Sequence, residues 1–277
     1  MTTKTKTRTV ETQIEIDAPV EAVWKALTEA EEITRWFAPE ARTKPGVGGH
    51  IWMSWGAPWE GENKIEIWEP NRHLRTSWPF APPQAEGDAA ALVPLTVDYY
   101  LESRGGKTVL RLVHSGFGYG AGWDEEFDGV SRGWGYELRS LRFYLERHRG
   151  TPRQLAWTRL RIYIPPEEAW KRAMSPEGLL KQGSVAGLKE GDAYSITAAT
   201  GDQFRGSVLV HNPPLDFSGT VENLGGALLR VANESSGDGG REVWFWLAAY
   251  GRPAAEMDAL QARWAAHLRK LFPEAKG

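Results

Sequence analysis

The stretch Ile14-Glu-Ile-Asp-Ala-Pro-Val-Glu-Ala-Val-Trp-Lys25 returns, 146 positions further on, as Leu160-Arg-Ile-Tyr-Ile-Pro-Pro-Glu-Glu-Ala-Trp-Lys171. In the first copy Ile14 and Ile16 alternate as on one face of a strand. Past Pro19, Val20, Val23, Trp24 and Leu27 recur at helical spacing. A strand that turns directly into a helix is therefore expected, with Asp17 as its cap and Pro19 opening it. Two shorter echoes keep the same order: Ile65-Glu-Ile-Trp-Glu-Pro70 against Val208-Leu-Val-His-Asn-Pro213, and Trp134, Leu138, Arg139, Leu141 against Trp264, Leu268, Arg269, Leu271. The chain has 277 residues, room for two domains of roughly 140 each. Duplication of a domain explains the echoes: residues 8–149 form one and residues 154–273 the other, joined by Arg149-Gly-Thr-Pro-Arg153.

Working outward, a second short helix is expected from Glu31 to Phe37. A turn at Pro45-Gly-Val-Gly-Gly49 follows, then strands near 50–55, 64–68, 74–78, 95–101 and 108–114. Their short connections imply an antiparallel meander. From Asp128 to His148, Val130, Trp134, Leu138, Leu141 and Leu145 form one helical stripe. The second half repeats the order: strand Leu160–Ile164, helix Pro166–Met174, five strands, and a final helix carrying Met257, Leu260, Trp264, Leu268 and Leu271. The fold class read from this is α+β, two tandem domains, each an antiparallel sheet packed on a long C-terminal helix.

Composition narrows function. Hydrophobic residues make up 41% and charged residues 25%, with 33 basic against 36 acidic side chains and a net charge of -3. A nucleic-acid partner is not expected from such a balance, and no apolar run approaches the ~20 residues of a membrane span. The chain has no cysteine, which removes disulfides, thiolate metal sites and cysteine nucleophiles. The basic segment Thr3 to Arg8 lacks the apolar stretch of a secretory signal, so cytoplasmic residence is expected. The six histidines show no ligand spacing, and neither a metal nor another cofactor is expected. The acidic run Asp124-Glu-Glu-Phe-Asp128 is read as capping the long helix.

The first half resembles the START-like superfamily, also called SRPBCC or birch-pollen-allergen-like, in the branch named for the activator of heat-shock-protein-90 ATPase. The residues that carry the resemblance are Ala18-Pro19 with Val23-Trp24, Trp36-Phe37, Pro45-Gly-Val-Gly-Gly49, Ile67-Trp-Glu-Pro70, Arg72-His-Leu74 with Trp78, Leu112-Val-His-Ser-Gly-Phe117 and Gly133-Trp134. The second half keeps Pro165-Pro166 and Ala169-Trp170-Lys171 but lacks the Gly-Gly turn, the His-Ser-Gly-Phe stretch and the glycine before Trp264. The resemblance implies a helix-grip fold in both halves, with an apolar cavity between sheet and helix in the first. The second half is then degenerate and structural.

Alternation nominates Ile67, Trp78, Tyr99, Leu112 and His114 as facing such a cavity; the helical stripe adds Trp134, Leu138 and Leu141, and Trp36 and Phe37 are expected to close one end, with Phe117 near the other. The 14 tryptophans can line a pocket or fill it. Binding of a small hydrophobic ligand is the leading expectation, because apolar pockets with few convergent polar groups are the usual ligand sites. His114 and Tyr99, the inward groups able to exchange a proton, leave open a cyclase, aromatase or hydrolase. A chaperone-associated role, implied by the family name alone, comes third. Finally, Val243-Trp-Phe-Trp-Leu247 is apolar on both faces, so Trp244 and Trp246 are candidates for a domain–domain or homodimer interface.

Overall fold

A computed structural model describes residues 7–81, 92–120, 122–236 and 239–275. The basic N-terminal segment lies, up to residue 6, outside the described residues. The chain divides into two compact units, Met1–Gly150 and Thr151–Gly277.

The first unit runs β1 (Arg8–Ile16), α1 (Val20–Thr28), α2 (Ala30–Thr34), β2 (Glu40–Lys44), β3 (His50–Ser54), β4 (Glu60–Glu69), β5 (His73–Phe80), β6 (Val93–Arg104), β7 (Lys107–Phe117) and α3 (Trp123–Arg147). Its seven strands form one antiparallel sheet in the order β1-β7-β6-β5-β4-β3-β2. The strands expected from alternation are present, and β2 is added to them. β2 reads Glu-Ala-Arg-Thr-Lys, an edge strand with no buried residue.

Local chemistry sets the elements. Pro19, with φ fixed at -60°, stands at the N-cap of α1; no side chain caps this helix, so Asp17 does not fill the role expected of it. The turn before β3 depends on glycine: a Cβ on Gly49 would stand 1.9 Å from the Lys44 carbonyl oxygen. Helix α3 starts earlier than its stripe suggested, which places the acidic run inside its first turns and leaves Gly122 at the N-cap without a side-chain cap. The carboxylates still face the positive end of the helix dipole. Asp124 also pairs with Arg8 Nη1 at 2.7 Å, while Arg8 Nε donates to the Gly118 carbonyl at 2.9 Å. Beyond that run, Trp134, Leu138, Leu141 and Leu145 are all buried.

Hydrogen bonds fix how α3 meets the short helices. Trp36 Nε1 donates to the Ala26 carbonyl at 2.8 Å, Ser140 Oγ donates to the Trp36 carbonyl at 2.9 Å, and Tyr144 Oη donates to Glu32 at 2.6 Å.

The second unit runs β8 (Arg153–Ile162), α4 (Pro166–Ala173), β9 (Ala193–Thr197), β10 (Gln203–Asn212), β11 (Asp216–Val221), β12 (Ala227–Ser235), β13 (Arg241–Tyr250) and α5 (Ala254–Leu271). Its sheet has the order β8-β13-β12-β11-β10-β9. From α5, Met257, Leu260, Trp264 and Leu268 enter a core with Phe204, Phe217, Val243, Phe245 and Leu247. Trp244 and Trp246 alternate with these core residues on β13 and lie on the other face. There Trp157 stacks on Trp244 at 5.8 Å, and the Arg159 guanidinium sits 5.0 Å from the Trp244 ring. Trp246 is buried and Trp244 half-buried. No described helix is long and apolar enough to cross a membrane.

Two glycines should respond in opposite directions to alanine. Gly49→Ala forces a backbone clash and is expected to destabilise the first unit by about 2 kcal/mol. Gly129→Ala, in α3 with open space around the new methyl, is expected to stabilise by about 0.5–1 kcal/mol. Urea unfolding of the two variants beside the parent checks both signs.

Candidate ligand-binding site

Cross-strand register shows which side chains share the inner face of the first sheet. His114 on β7 lies opposite Val97 on β6, and Leu112 opposite Tyr99, which in turn faces Leu74 on β5. All five are buried. Trp78, half-buried at the end of β5, lies opposite Leu95. From α3, Trp134 reaches this surface, with ring centroids 6.1 Å from Tyr99 and 6.2 Å from His114. Phe37 stacks between Trp36 at 4.8 Å and Trp134 at 5.9 Å, and Trp55 meets its edge at 5.1 Å.

Ten of the eleven residues nominated from sequence thus belong to the sheet–helix interior or its rim. Ile67 does not. A bulge between Ile65 and Ile67 sets Ile67 opposite Arg75, on the outer face, and turns Trp68 inward opposite Leu74. An inserted residue of this kind reverses the alternation beyond it. Trp68 instead packs edge-on against Trp24 at 5.0 Å.

His114 is the chemical centre of this interior. It is 3% exposed and ringed by aromatic groups: Phe117 at 4.6 Å, Trp78 at 5.2 Å and Trp134. Trp134 Nε1 donates a hydrogen bond to His114 Nδ1 at 3.0 Å. An indole nitrogen can only donate, so Nδ1 is the acceptor and the neutral ring carries its proton on Nε2. That Nε2 is buried and has no hydrogen-bond partner among the described residues. Burial disfavours the imidazolium and pushes the pKa down to about 3. Burial likewise pushes the Tyr99 hydroxyl up, so both groups are uncharged at neutral pH.

The outer face has the opposite character. Glu69, His73, Tyr100, Arg111 and Gln13 lie in one row across five strands and form the floor of an open groove of about 420 Å³. Tyr100 is packed between the His73 ring at 4.2 Å and the Arg111 guanidinium at 4.2 Å. The charges neutralise one another: Asp98 accepts from His73 at 2.6 Å and Arg75 at 2.8 Å, and Arg111 pairs with Glu11 at 3.0 Å. This row was not anticipated from the sequence; its signal was the polar half of the same alternation. Among the described residues no cluster of histidine, aspartate and glutamate could hold a metal ion.

The first domain is therefore a helix-grip α+β domain whose long helix lies on a sheet face lined with aromatic side chains. Residues 17–146, most of the first domain, match the model of the family described as Activator of Hsp90 ATPase homolog 1-like protein. Among solved structures, the chain is similar to protein MLL2253 from Mesorhizobium loti, at 27% identity over 51% of this chain and 98% of that one, with a TM-score of 0.42. It is also similar, over nearly its whole length, to two further proteins. DynU16, of the dynemicin biosynthetic locus, has 18% identity over 96% of each chain and a TM-score of 0.43. The di-domain ARO/CYC BexL, of the BE-7585A biosynthetic pathway, has 14% identity over 98% of this chain and 99% of that one, with a TM-score of 0.42. No curated protein matches the chain.

Two measurements test this site. Trp134→Phe leaves Nδ1 as well as Nε2 of His114 unpaired and is expected to cost about 1–3 kcal/mol in urea unfolding. Because the folded-state pKa of about 3 lies below the ordinary 6.5, the unfolded chain takes up the proton first as pH falls. The contribution of neutral His114 is thus complete above about pH 6.5 and is lost as pH drops toward 3. Stability measured from pH 7 to pH 4 should fall less steeply in His114→Phe than in the parent.

Proposed function

We propose that the first domain binds a small apolar ligand between its sheet and helix α3, and that the second domain is mainly structural. The observation that carries this reading is the buried Nε2–H of His114, without a partner among the described residues, within a ring of aromatic side chains. A buried donor without a partner costs on the order of 1–3 kcal/mol. A ligand acceptor that meets it recovers that free energy, and the surrounding rings supply the apolar contact. Few polar groups converging in an apolar enclosure is the usual composition of a ligand site. Fold membership alone does not decide the ligand.

The alternative, an enzyme with His114 as general acid or base, has less physical support. A histidine whose pKa is about 3 is a weak base at neutral pH, and such catalysis works best with a pKa near the operating pH. Its hydrogen-bonded neighbour is an indole, not a carboxylate that would raise its basicity. Among its described residues the second domain has no counterpart of this arrangement. Trp264 packs edge-on against Phe245 and Phe204, both at 5.9 Å, and the core cluster around it has no histidine.

The test is direct. The full chain purified without detergent should show, in native mass spectrometry, a non-covalent adduct that denaturation releases. A panel of apolar one- and two-ring compounds should raise the first domain's unfolding transition. Saturation to a hundred times Kd is worth about 2.7 kcal/mol. Absence of both adduct and shift rejects the reading.

A further inference from the structure

We infer that the ligand of this interior is an uncharged molecule bearing a hydrogen-bond acceptor, of the ketone or aldehyde class on an apolar ring, and that carboxylates are excluded. The inference rests on the ligand-binding reading above and narrows it to a chemical class.

The argument begins with the direction of one hydrogen bond. Trp134 Nε1 has no acceptor lone pair to offer, so its contact with His114 Nδ1 at 3.0 Å has a single polarity. The imidazole proton is therefore on Nε2, and Nε2 can only donate. The group it presents to a ligand must be an acceptor. A ligand hydroxyl could accept as well, but its own proton would then need an acceptor in turn, which the aromatic rings nearest His114 do not offer. The faces around His114 are the rings of Trp78, Phe117 and Trp134, and the residue opposite on β6 is Val97. A carbonyl oxygen has lone pairs and no proton to satisfy, so it meets Nε2–H without leaving a new group unpaired.

Charge decides the second half. Among the described residues, the inner-face neighbours of His114 across the strands are Thr76, Leu95, Val97, Tyr99 and Leu112, with no cationic side chain. The cations of this sheet, such as Arg75 and Arg111, project from its outer face, where Asp98 and Glu11 pair with them. His114 cannot supply positive charge in exchange, because Nδ1 is already committed to an N–H donor and a proton there would set two donors against each other. A buried carboxylate would meet one neutral donor and no counter-charge, and desolvation of an unpaired charge is far costlier than one hydrogen bond returns.

Planarity follows from the lining. Flat rings present large apolar faces to aromatic partners at little conformational cost, so a carbonyl conjugated to a ring fits both requirements.

The experiment uses two matched trios of probes on the full chain: acetophenone, ethylbenzene and benzoate, and 2-acetylnaphthalene, 2-ethylnaphthalene and 2-naphthoate. Affinities are read by calorimetry, and the His114 ring is followed by ¹⁵N-histidine NMR. In at least one trio the ketone is expected to bind about tenfold more tightly than the ethyl compound, as one net hydrogen bond implies, and the carboxylate at least a hundredfold more weakly than the ketone. The Nε2–H resonance should move downfield with the ketone alone. In His114→Phe, which keeps a ring and removes the donor, ketone and ethyl compound should bind equally.

Equal binding of ketone and ethyl compound to the parent, with the Nε2–H resonance unmoved, overturns the acceptor inference while leaving apolar binding intact. Tighter binding of a carboxylate overturns the charge argument. If no member of either trio binds and no adduct is carried, the ligand-binding reading itself falls, and this inference with it. Should His114→Phe fail to fold, the parent's NMR response and the ketone-to-ethyl ratio still decide the matter.

Discussion

The contact between Trp134 Nε1 and His114 Nδ1 is the constraint on which the first domain's interior depends. It joins the middle of the long helix to the penultimate inward position of β7, through residues 20 apart in the chain, and so fixes the rotation of the helix on the sheet. It also settles the protonation of the imidazole. A donor-only indole facing Nδ1 leaves the proton on Nε2, and the aromatic neighbours leave that proton unpaired. A purely apolar pair at these two positions would pack the same surfaces without a buried polar atom. Retention of a half-satisfied pair is consistent with a role beyond packing.

The rest of the sheet supports this by separating its two faces. Strand geometry sends successive side chains to opposite sides, so a single strand such as β6 contributes Val97 and Tyr99 to the interior while Asp98 and Tyr100 join the outer row. The outer charges are balanced by partners across the strands: Asp98 by His73 and Arg75, Arg111 by Glu11, and Lys107 by Glu15. The exposed pairs, Arg111 with Glu11 and Lys107 with Glu15, contribute about 0–1 kcal/mol each, whereas Asp98 is a buried carboxylate that needs its partners. The neutrality of the inner face and the charge balance of the outer face are one consequence of register.

Most of the architecture was legible in the sequence, because its signals are periodic. Alternation marked the strands that carry the interior, and the stripe from Trp134 to Leu145 marked α3. What escaped was non-periodic. β2 consists of Glu-Ala-Arg-Thr-Lys, without the apolar alternation that marks a half-buried strand. The bulge in β4 exchanged Ile67 for Trp68, since a one-residue insertion changes no letter of the pattern but reverses everything after it. The cap expected at Asp17 was overridden by Pro19, whose own φ starts the helix. At the site, the inward placement of His114 and Trp134 followed from spacing. Their hydrogen bond did not, because a contact between a helix and a strand depends on the rotation of one element against the other, which no local pattern encodes. The outer row was missed because attention to apolar positions discards the alternate residues that build it.

The two halves show how one framework can solve the same packing problem in two ways. In both, a tryptophan on the terminal helix projects onto the sheet and meets aromatic side chains. In the second half Trp264 contacts Phe204 and Phe245, and its Nε1 is directed at the Asp202 carboxylate at 3.3 Å, an acceptor beside the turn before β10 that also pairs with Arg263. The indole proton is thereby led out of the core to a partner that other groups already hold. Tyr194, the hydroxyl-bearing member of that core, also finds a partner, donating to the Thr220 carbonyl at 2.7 Å. In the first half the corresponding proton is led inward, to an imidazole whose second nitrogen has no partner among the described residues. Buried polar atoms without a partner among the described residues occur in both halves, Ser218 Oγ and Trp244 Nε1 in the second and His114 Nε2 in the first, so what distinguishes the halves is where the helix indole sends its proton, to a carboxylate in one and to an imidazole in the other.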